Sequence, residues 1–442
     1  MAEARLEERP QAVPQAPIRA KQRVLFAALL GTAVEFYDFF IYATAAALVF
    51  GPLFFPASSE AAQTLLAFAS FGIAFLARPI GAMAFGHFGD RVGRKSTLIA
   101  SLLFMGISTL AIAFLPTYAM AGWIAPFLLC LMRFGQGFGL GGEWGGAALL
   151  TAEHAPPGWE SRFVSIMQLG SPIGFGAATG VFLILEIFLD DAAFQSWGWR
   201  IPFLASAILV VIGLYMRLKI KETPQFLAAL DRDKTVRLPF VEIFRNHGWQ
   251  LLAGSCGVVS TFALFYLSTA FALALGVQEL GFDRDSFLQI QLFANCFYIA
   301  GIIVSGILAD RLSARVLLGT GALLTLFVGL FFKAGLRSAD VPIAALTLAA
   351  AMLVLGIGNG PMGAWLATLF PVRARYTGVS LAFNCGGILG GAFVPFLAQL
   401  LVVQGSARST MILLLIAGAT TLLAAIFGKA RASQPTKGDT PA

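Results

Sequence analysis

The chain has 442 residues, of which 58% are hydrophobic and 12% charged, with a formal net charge of +7. Its mean hydropathy of +0.81 excludes a soluble globular protein, because so much apolar surface cannot be hidden in one core beneath a polar skin. Nor does the positive charge indicate a nucleic-acid partner: Lys and Arg fall in alternate loops between apolar segments, the positive-inside pattern of a polytopic membrane protein.

Residues 1–20, rich in Pro, Gln, Ala and Arg, are expected to form a disordered cytoplasmic tail. The apolar stretch after them is too long for a signal-peptide h-region, holds two acids and lacks a small-residue cleavage site, so no cleavable leader is expected. Crossing a bilayer takes about 20 mostly apolar residues, and twelve such stretches occur. Six lie at roughly 24–50, 62–86, 97–115, 121–148, 163–188 and 199–218. Six more lie at roughly 249–275, 287–309, 315–333, 342–366, 376–402 and 408–428. The expected organisation is therefore all-α: a six-helix bundle over 21–218, a charged cytoplasmic linker over 219–248, a second bundle over 249–428 and a short tail over 429–442. Arg19, Lys21, Arg23, Arg91, Arg94, Lys95, Arg311, Arg315, Arg373 and Arg375 fall on one side with the linker, which predicts that both termini are cytoplasmic.

The halves repeat one another. Gly86-His-Phe-Gly-Asp90-Arg91 after span two is matched by Gly306-Ile-Leu-Ala-Asp310-Arg311 after span eight. Gly137-Phe-Gly139-Leu-Gly141 in span four is matched by Gly356-Ile-Gly358-Asn-Gly360 in span ten. Two repeats of this kind predict a solute site near the bilayer midplane, between the halves.

Within span one, Glu35 and Asp38 stand three residues apart and Tyr42 four further on, so they share a helix face. Carboxylates are costly inside a bilayer, which makes both acids candidate proton carriers; Tyr37 lies beside them. Arg133 lies about 12 residues into span four, roughly 18 Å deep at 1.5 Å per residue, level with Glu35. A buried guanidinium needs an acid or an anionic solute. Arg133 is expected to pair with Glu35 or Asp38 when the carrier is empty and with a solute carboxylate when it is loaded; the bland alternative is a permanent ion pair. If the solute draws Arg133 away, the acid takes a proton, and anion and proton binding favour each other.

Further candidates are Gln136, Gln168, Tyr266, Tyr298, Asn359, Trp365 and Asn384 as solute ligands, though polar groups of this kind usually serve helix packing. Arg78, nearer the inner end of span two, is read as snorkelling or bonded to backbone carbonyls. Gly86, Asp90, Arg91, Gly93, Arg94 and Lys95 form a candidate charge latch at the inner surface, with Glu143, Asp310 and Arg311 as possible partners; the alternative is a basic loop that only sets topology. Cys130, Cys256, Cys296 and Cys385 lie singly in apolar segments, with no metal-ligand spacing. The glycine run in span four follows no strand, so a phosphate-loop reading fails on context.

Gly86-x-x-x-Asp90-Arg91-x-Gly93-Arg94-Lys95 resembles the signature loop of the major facilitator superfamily. Glu35-Phe-Tyr37-Asp38, Arg78-Pro79, Arg133-Phe-Gly-Gln136 through Glu143-Trp144, Glu222-Thr-Pro224 and Arg373-Ala-Arg375-Tyr376-Thr377-Gly378 are similar to its metabolite:proton symporter family, which includes shikimate, 2-oxoglutarate, citrate and proline/betaine carriers. Two departures are Phe36, where the family usually has Trp, and Ser313-Ala314 in the second loop. The resemblance implies the two-bundle fold with spans one, four, seven and ten lining the cavity. It also implies proton-coupled symport of a small organic acid across a bacterial inner membrane by a monomer, with no cofactor, no metal and no enzymatic activity. Import of a zwitterionic osmolyte such as proline or betaine, an uncoupled carrier and a non-transporting sensor are the rival expectations.

Overall fold

The computed structural model describes the backbone of residues 18–57, 59–92, 94–156, 158–219, 239–309, 311–338, 340–371, 374–404 and 410–428. Among them every regular element is helical. Helix α1 is Ile18–Leu48, α2 is Glu60–Val92 and α3 is Arg94–Ile112. Helix α4 runs as Ile124–Leu140 and, past a glycine break, Glu143–Glu153; α5 runs as Glu160–Gln168 and Gly170–Phe188; α6 is Ile201–Lys219. Helix α7 is built from Gly248–Gly257, Val259–Tyr266, the π-helical Leu267–Phe271 and Ala272–Gln278. Helices α8, Arg284–Leu308, and α9, Ala314–Arg337, follow. Helix α10 is Val341–Leu369, α11 joins Arg375–Gly387, the π-helical Ile388–Phe393 and Val394–Val403, and α12 is Thr410–Phe427.

Nine of these described rods, α2 and α4 to α11, are long and apolar enough to cross a membrane by length and composition. Helices α3 and α12 contribute the shorter apolar helices Ile99–Ile112 and Met411–Phe427, and α1 completes the set. Helix α1 begins on one side of the molecule. That side is called the terminal face below, and the opposite side the distal face. Phe114, Met120, Trp123, Ile187, Phe188 and Val211 stand exposed on the outside, as apolar side chains do where the solvent is lipid.

Each half packs chiefly on itself. Helix α1 lies on α5, α2 and α3 on α4, and α6 on α3; α8 and α9 lie on α10, α12 on α9, and α7 on α11. The internal repeat is visible in this packing. A Cβ on Gly137 of α4 would stand 2.1 Å from the Ala74 carbonyl oxygen of α2, and one on Gly356 of α10 would stand 2.5 Å from the Tyr298 carbonyl oxygen of α8. Only glycine allows helix backbones to approach that closely, so the matched glycine runs do the same work in each half.

The halves touch at both ends. On the distal side Thr64 donates to Gln278 at 2.8 Å, Gln278 to the Ala47 carbonyl at 3.2 Å and Gln399 to the Ala61 carbonyl at 3.2 Å. There Arg284 of α8 also bridges Glu186 of α5 at 3.0 Å and Asp191 at 3.1 Å. On the terminal side Trp144 stacks on Phe383 with centroids 3.6 Å apart. Tyr376 donates to the Gly142 carbonyl at 2.6 Å and Asn384 to the Gly141 carbonyl at 2.8 Å. Among the described residues the two halves are closed against each other at both faces.

Candidate functional site

Helix α1 carries the core of the site. Phe39, Phe40 and Tyr42 are fully buried, and Phe71 and Phe75 of α2 join them in one aromatic cluster. Two arginines are embedded in it. The Arg133 guanidinium lies 4.1 Å from the Tyr42 ring centroid, 4.2 Å from Phe39 and 4.7 Å from Phe71. The Arg78 guanidinium lies 4.4 Å from Phe39 and 4.8 Å from Phe75. Ring faces carry partial negative charge and stabilise a cation, the more so when it is desolvated. Arg78 is 5% exposed, so it does not snorkel; it belongs to the core beside Arg133, a role that its place in the sequence does not suggest.

The expected ion pair of Arg133 with Glu35 or Asp38 is not formed. Arg133 Nη1 donates instead to Gln136 Oε1 at 2.8 Å, and its Nε and Nη2, both buried, have no hydrogen-bond partner. Asp38 is wholly buried, and neither of its carboxyl oxygens is hydrogen-bonded. The hydroxyls of Thr109 and Ser206 adjoin it. Their own hydrogens go elsewhere, to the carbonyls of Met105 at 3.0 Å and Phe203 at 2.9 Å. Gln136 Nε2 donates to Thr109 Oγ1 at 2.7 Å. The line from Arg133 towards Asp38 therefore runs through an amide and a hydroxyl rather than through a direct pair. Intervening packing on the rings explains the difference: the guanidinium is held over three aromatic faces of the shared core. Glu35, at 9% exposed, is buried on the same helix, and Arg78 lies within its electrostatic reach.

The remaining candidates divide. Tyr42 shares a hydrogen bond with Ser70 at 2.7 Å, and Tyr37 donates to the Pro202 carbonyl at 3.1 Å, which ties α1 to α6 within one half. Gln168 accepts from the Trp144 indole at 3.0 Å and donates across the interface to Asn359 Oδ1 at 3.0 Å; Asn359 donates to Tyr298 at 2.6 Å, and Tyr298 to Ser171 at 3.3 Å. Gln168, Ser171, Tyr266, Tyr298 and Asn359 line a narrow central cavity with Phe36, Phe40 and Phe262. Arg133 and Asp38 do not line it. Tyr266 joins the two regions: it lines the cavity, and its ring meets Phe71 at 5.1 Å and Phe39 at 6.3 Å. Trp365 lies apart, with Gly257 and Gly428 against its ring inside the second half, and Asn384 serves the terminal contact. Glu143, buried at the start of the second segment of α4, accepts a hydrogen bond from the Ser101 hydroxyl. Arg311 is exposed. The latch residues Gly86, Asp90, Arg91, Gly93, Arg94, Lys95 and Asp310 lie outside the residues whose side chains are described. No cluster of three or more His, Cys, Asp or Glu occurs among the described residues.

Two helical halves enclosing a polar midplane, with closure at both ends, define a membrane transporter. The model of the family "Sugar (and other) transporter" matches residues 24–237. The inner membrane metabolite transport protein YhjE of Escherichia coli (strain K12) is 46% identical over 86% of this chain and 88% of its own. The shikimate transporter of the same organism is 36% identical over 89% of this chain and 91% of its own, and the proline/betaine transporter of Salmonella typhimurium (strain LT2) is 32% identical over 95% and 86%. Among solved structures, the crystal structure of a D-xylose-proton symporter superposes with a TM-score of 0.70 at 20% identity, covering 91% of this chain and 96% of that one. The chain belongs to the major facilitator superfamily, among its metabolite transporters.

Proposed function

We propose that this transporter is a proton-coupled symporter of a small organic acid. Arg133 holds the solute carboxylate, Asp38 carries the proton, and the two halves rock about the midplane to expose the site to each face in turn, with both termini in the cytoplasm. The observation that carries this reading is the pair of incomplete groups in the core. Arg133 presents a buried Nε–Nη2 edge with no acceptor, and Asp38 presents a buried carboxyl with no donor. That edge matches a carboxylate in two parallel hydrogen bonds. A carboxylate left without a donor costs several kcal/mol, so the surroundings of Asp38 accommodate its neutral acid.

Osmolyte import is less well supported by the site. A quaternary ammonium would seek aromatic faces, and those of Phe39, Tyr42, Phe71 and Phe75 are occupied by the two guanidiniums. Gln168, Tyr298 and Asn359 are the proposed ligands for the rest of the solute, since they already exchange hydrogen bonds across the cavity that the solute would enter. The test is uptake into proteoliposomes of shikimate, 2-oxoglutarate, citrate, lactate, proline and betaine, with and without an inward proton gradient. At least one carboxylate is concentrated only when the gradient is present. Asp38→Asn abolishes that accumulation and retains solute exchange, while Arg133→Gln loses both. Gradient-driven accumulation that survives Asp38→Asn refutes the proton assignment, and uptake of betaine or proline alone refutes the solute class.

A further inference from the structure

The lining of the central cavity divides into two patches. One is polar: Gln168 and Ser171 of α5, Tyr298 of α8 and Asn359 of α10. Its hydrogen bonds run in one direction. The Trp144 indole can only donate, so the Gln168 group that meets it is the amide oxygen. The Gln168 NH₂ then faces Asn359 Oδ1, the Asn359 NH₂ faces the Tyr298 oxygen, and the Tyr298 hydrogen faces Ser171 Oγ. The chain ends on Ser171, whose own hydrogen reaches no acceptor among the described residues. The other patch is aromatic and comes from α1, α7 and α11. Phe36 meets Phe40 at 5.3 Å, Phe40 meets Phe265 at 4.7 Å, and Phe262 meets Phe383 at 5.0 Å.

No described residue of this lining is charged. The cations nearest to it are Arg133 and Arg78, and both lie over the Phe39 ring, 4.2 and 4.4 Å from its centroid. That ring stands 6.3 Å from Tyr266 of the lining, so the two guanidiniums serve the same end of a solute. A second carboxylate would lie in the cavity as a buried charge with no cation to meet it. Hydroxyls suit the polar patch, because each accepts a hydrogen, as from Ser171, and donates one in return. A flat face of ring carbons suits the aromatic patch, where it is removed from water.

We propose that the solute is a cyclic monocarboxylate with hydroxyls along one edge of its ring. Its single carboxylate goes to Arg133, its ring carbons to the phenylalanines, and its hydroxyls to the chain that ends on Ser171. This rests on the reading of Arg133 as the group that takes the solute carboxylate, and it narrows the solutes that reading admits. Dicarboxylates and tricarboxylates are rejected by charge. A short hydroxy acid such as lactate leaves the aromatic patch uncovered. Betaine would place its ammonium on the rings but offers no hydroxyl to the polar chain.

Initial uptake by the full chain in proteoliposomes under an inward proton gradient, measured above that of protein-free liposomes, tests the solute class. The probes are shikimate, quinate and glucuronate as hydroxylated ring acids, cyclohexanecarboxylate without hydroxyls, lactate without a ring, 2-oxoglutarate and citrate with added carboxylates, and betaine. At least one hydroxylated ring acid is taken up about tenfold or more faster than every probe outside that class. Ser171→Ala and Asn359→Leu each lower the preference for that acid over cyclohexanecarboxylate by about threefold or more. Neither admits 2-oxoglutarate or citrate, since neither adds a cation. Uptake of 2-oxoglutarate, citrate or lactate as fast as that of the best ring acid overturns the proposal and leaves the symport reading intact. A preference for hydroxyls that is unchanged in both variants overturns the role of the polar chain. If no carboxylate is concentrated by the gradient, or betaine alone is, the symport reading of an organic acid fails with it.

Discussion

Removing the charge of Arg284 will unlock the distal face. The guanidinium reaches from α8 to Glu186 at 3.0 Å and Asp191 at 3.1 Å, and it lies 5.1 Å from the Phe194 ring centroid. The two acids are unequal. The side chains of Arg284 and Glu186 are 16% and 15% exposed, whereas Asp191 is 78% exposed. An exposed pair contributes about 0–1 kcal/mol; one drawn partly out of water, with two hydrogen bonds from one nitrogen, contributes about 1.5 kcal/mol. Since about 1.4 kcal/mol is tenfold in an equilibrium, Arg284→Gln and Glu186→Gln each raise the population open to the distal face about tenfold. Asp191→Asn raises it less than about threefold, at the low end of the exposed range. The double variant Arg284→Gln/Glu186→Gln adds little to either single change, because both remove the same ion pair. The measurement is the labelling rate of a cysteine at Thr261, on the cavity wall, by an impermeant maleimide added to one face of oriented vesicles, with Cys130, Cys256, Cys296 and Cys385 replaced by serine. Labelling from the distal side unchanged by both Arg284→Gln and Glu186→Gln would refute the latch. An Asp191→Asn effect as large as that of Glu186→Gln would refute the reasoning from exposure.

Two further outcomes are expected. Trp144→Ala removes one ring of the stack on Phe383 and the indole hydrogen bond to Gln168, so the same cysteine becomes about tenfold more accessible from the terminal side and no more accessible from the distal side. Gly137→Ala forces a methyl to within 2.1 Å of the Ala74 carbonyl oxygen and destabilises the first half by about 1–3 kcal/mol, seen as a lower Tm of the purified chain. Gly31→Ala, with nothing within 4 Å, leaves Tm nearly unchanged.

Hydropathy alone made the helical fold legible, because a bilayer imposes length and apolarity on every pass. The loops and glycine runs made the repeat legible. One rule, that charge inside a membrane needs a reason, singles out Asp38, Glu35 and Arg133 in the sequence, and all three side chains are buried. What the rule could not supply was the partner of each group. Thr109 and Ser206 look like any hydroxyl that bonds back to its own helix, and they do bond there; only the fold brings both against one carboxyl. Phe39 was one aromatic among 41 phenylalanines until the structure set two guanidiniums over it. The snorkelling reading of Arg78 fails because distance from the helix end does not tell whether a long side chain runs to the surface or turns inward. Arg284 and Glu186 belong to different halves, and no spacing along one chain segment joins them.

Among the described residues the two ends of the carrier are closed by different chemistry, and this bears on how it moves. The distal end is held by amide and hydroxyl bonds and by an ion pair that water can replace. The terminal end is held by an aromatic stack and by side chains bonded to the carbonyls of Gly141 and Gly142, the residues at the break in α4. Water compensates the separated polar groups of the first set but not the apolar surface freed when the stack parts. On the contacts among the described residues, the distal face is the easier of the two to open, and opening the terminal face needs a gain elsewhere. The break in α4 supplies a connection to that gain. Arg133 and Gln136 lie on the segment just before it, and Trp144, whose indole reaches Gln168 at the central cavity, lies just after it. If the solute is held as proposed, by Arg133 and Gln168, its binding acts on both sides of that break, which is the differential interaction that a ligand must make to shift a conformational equilibrium.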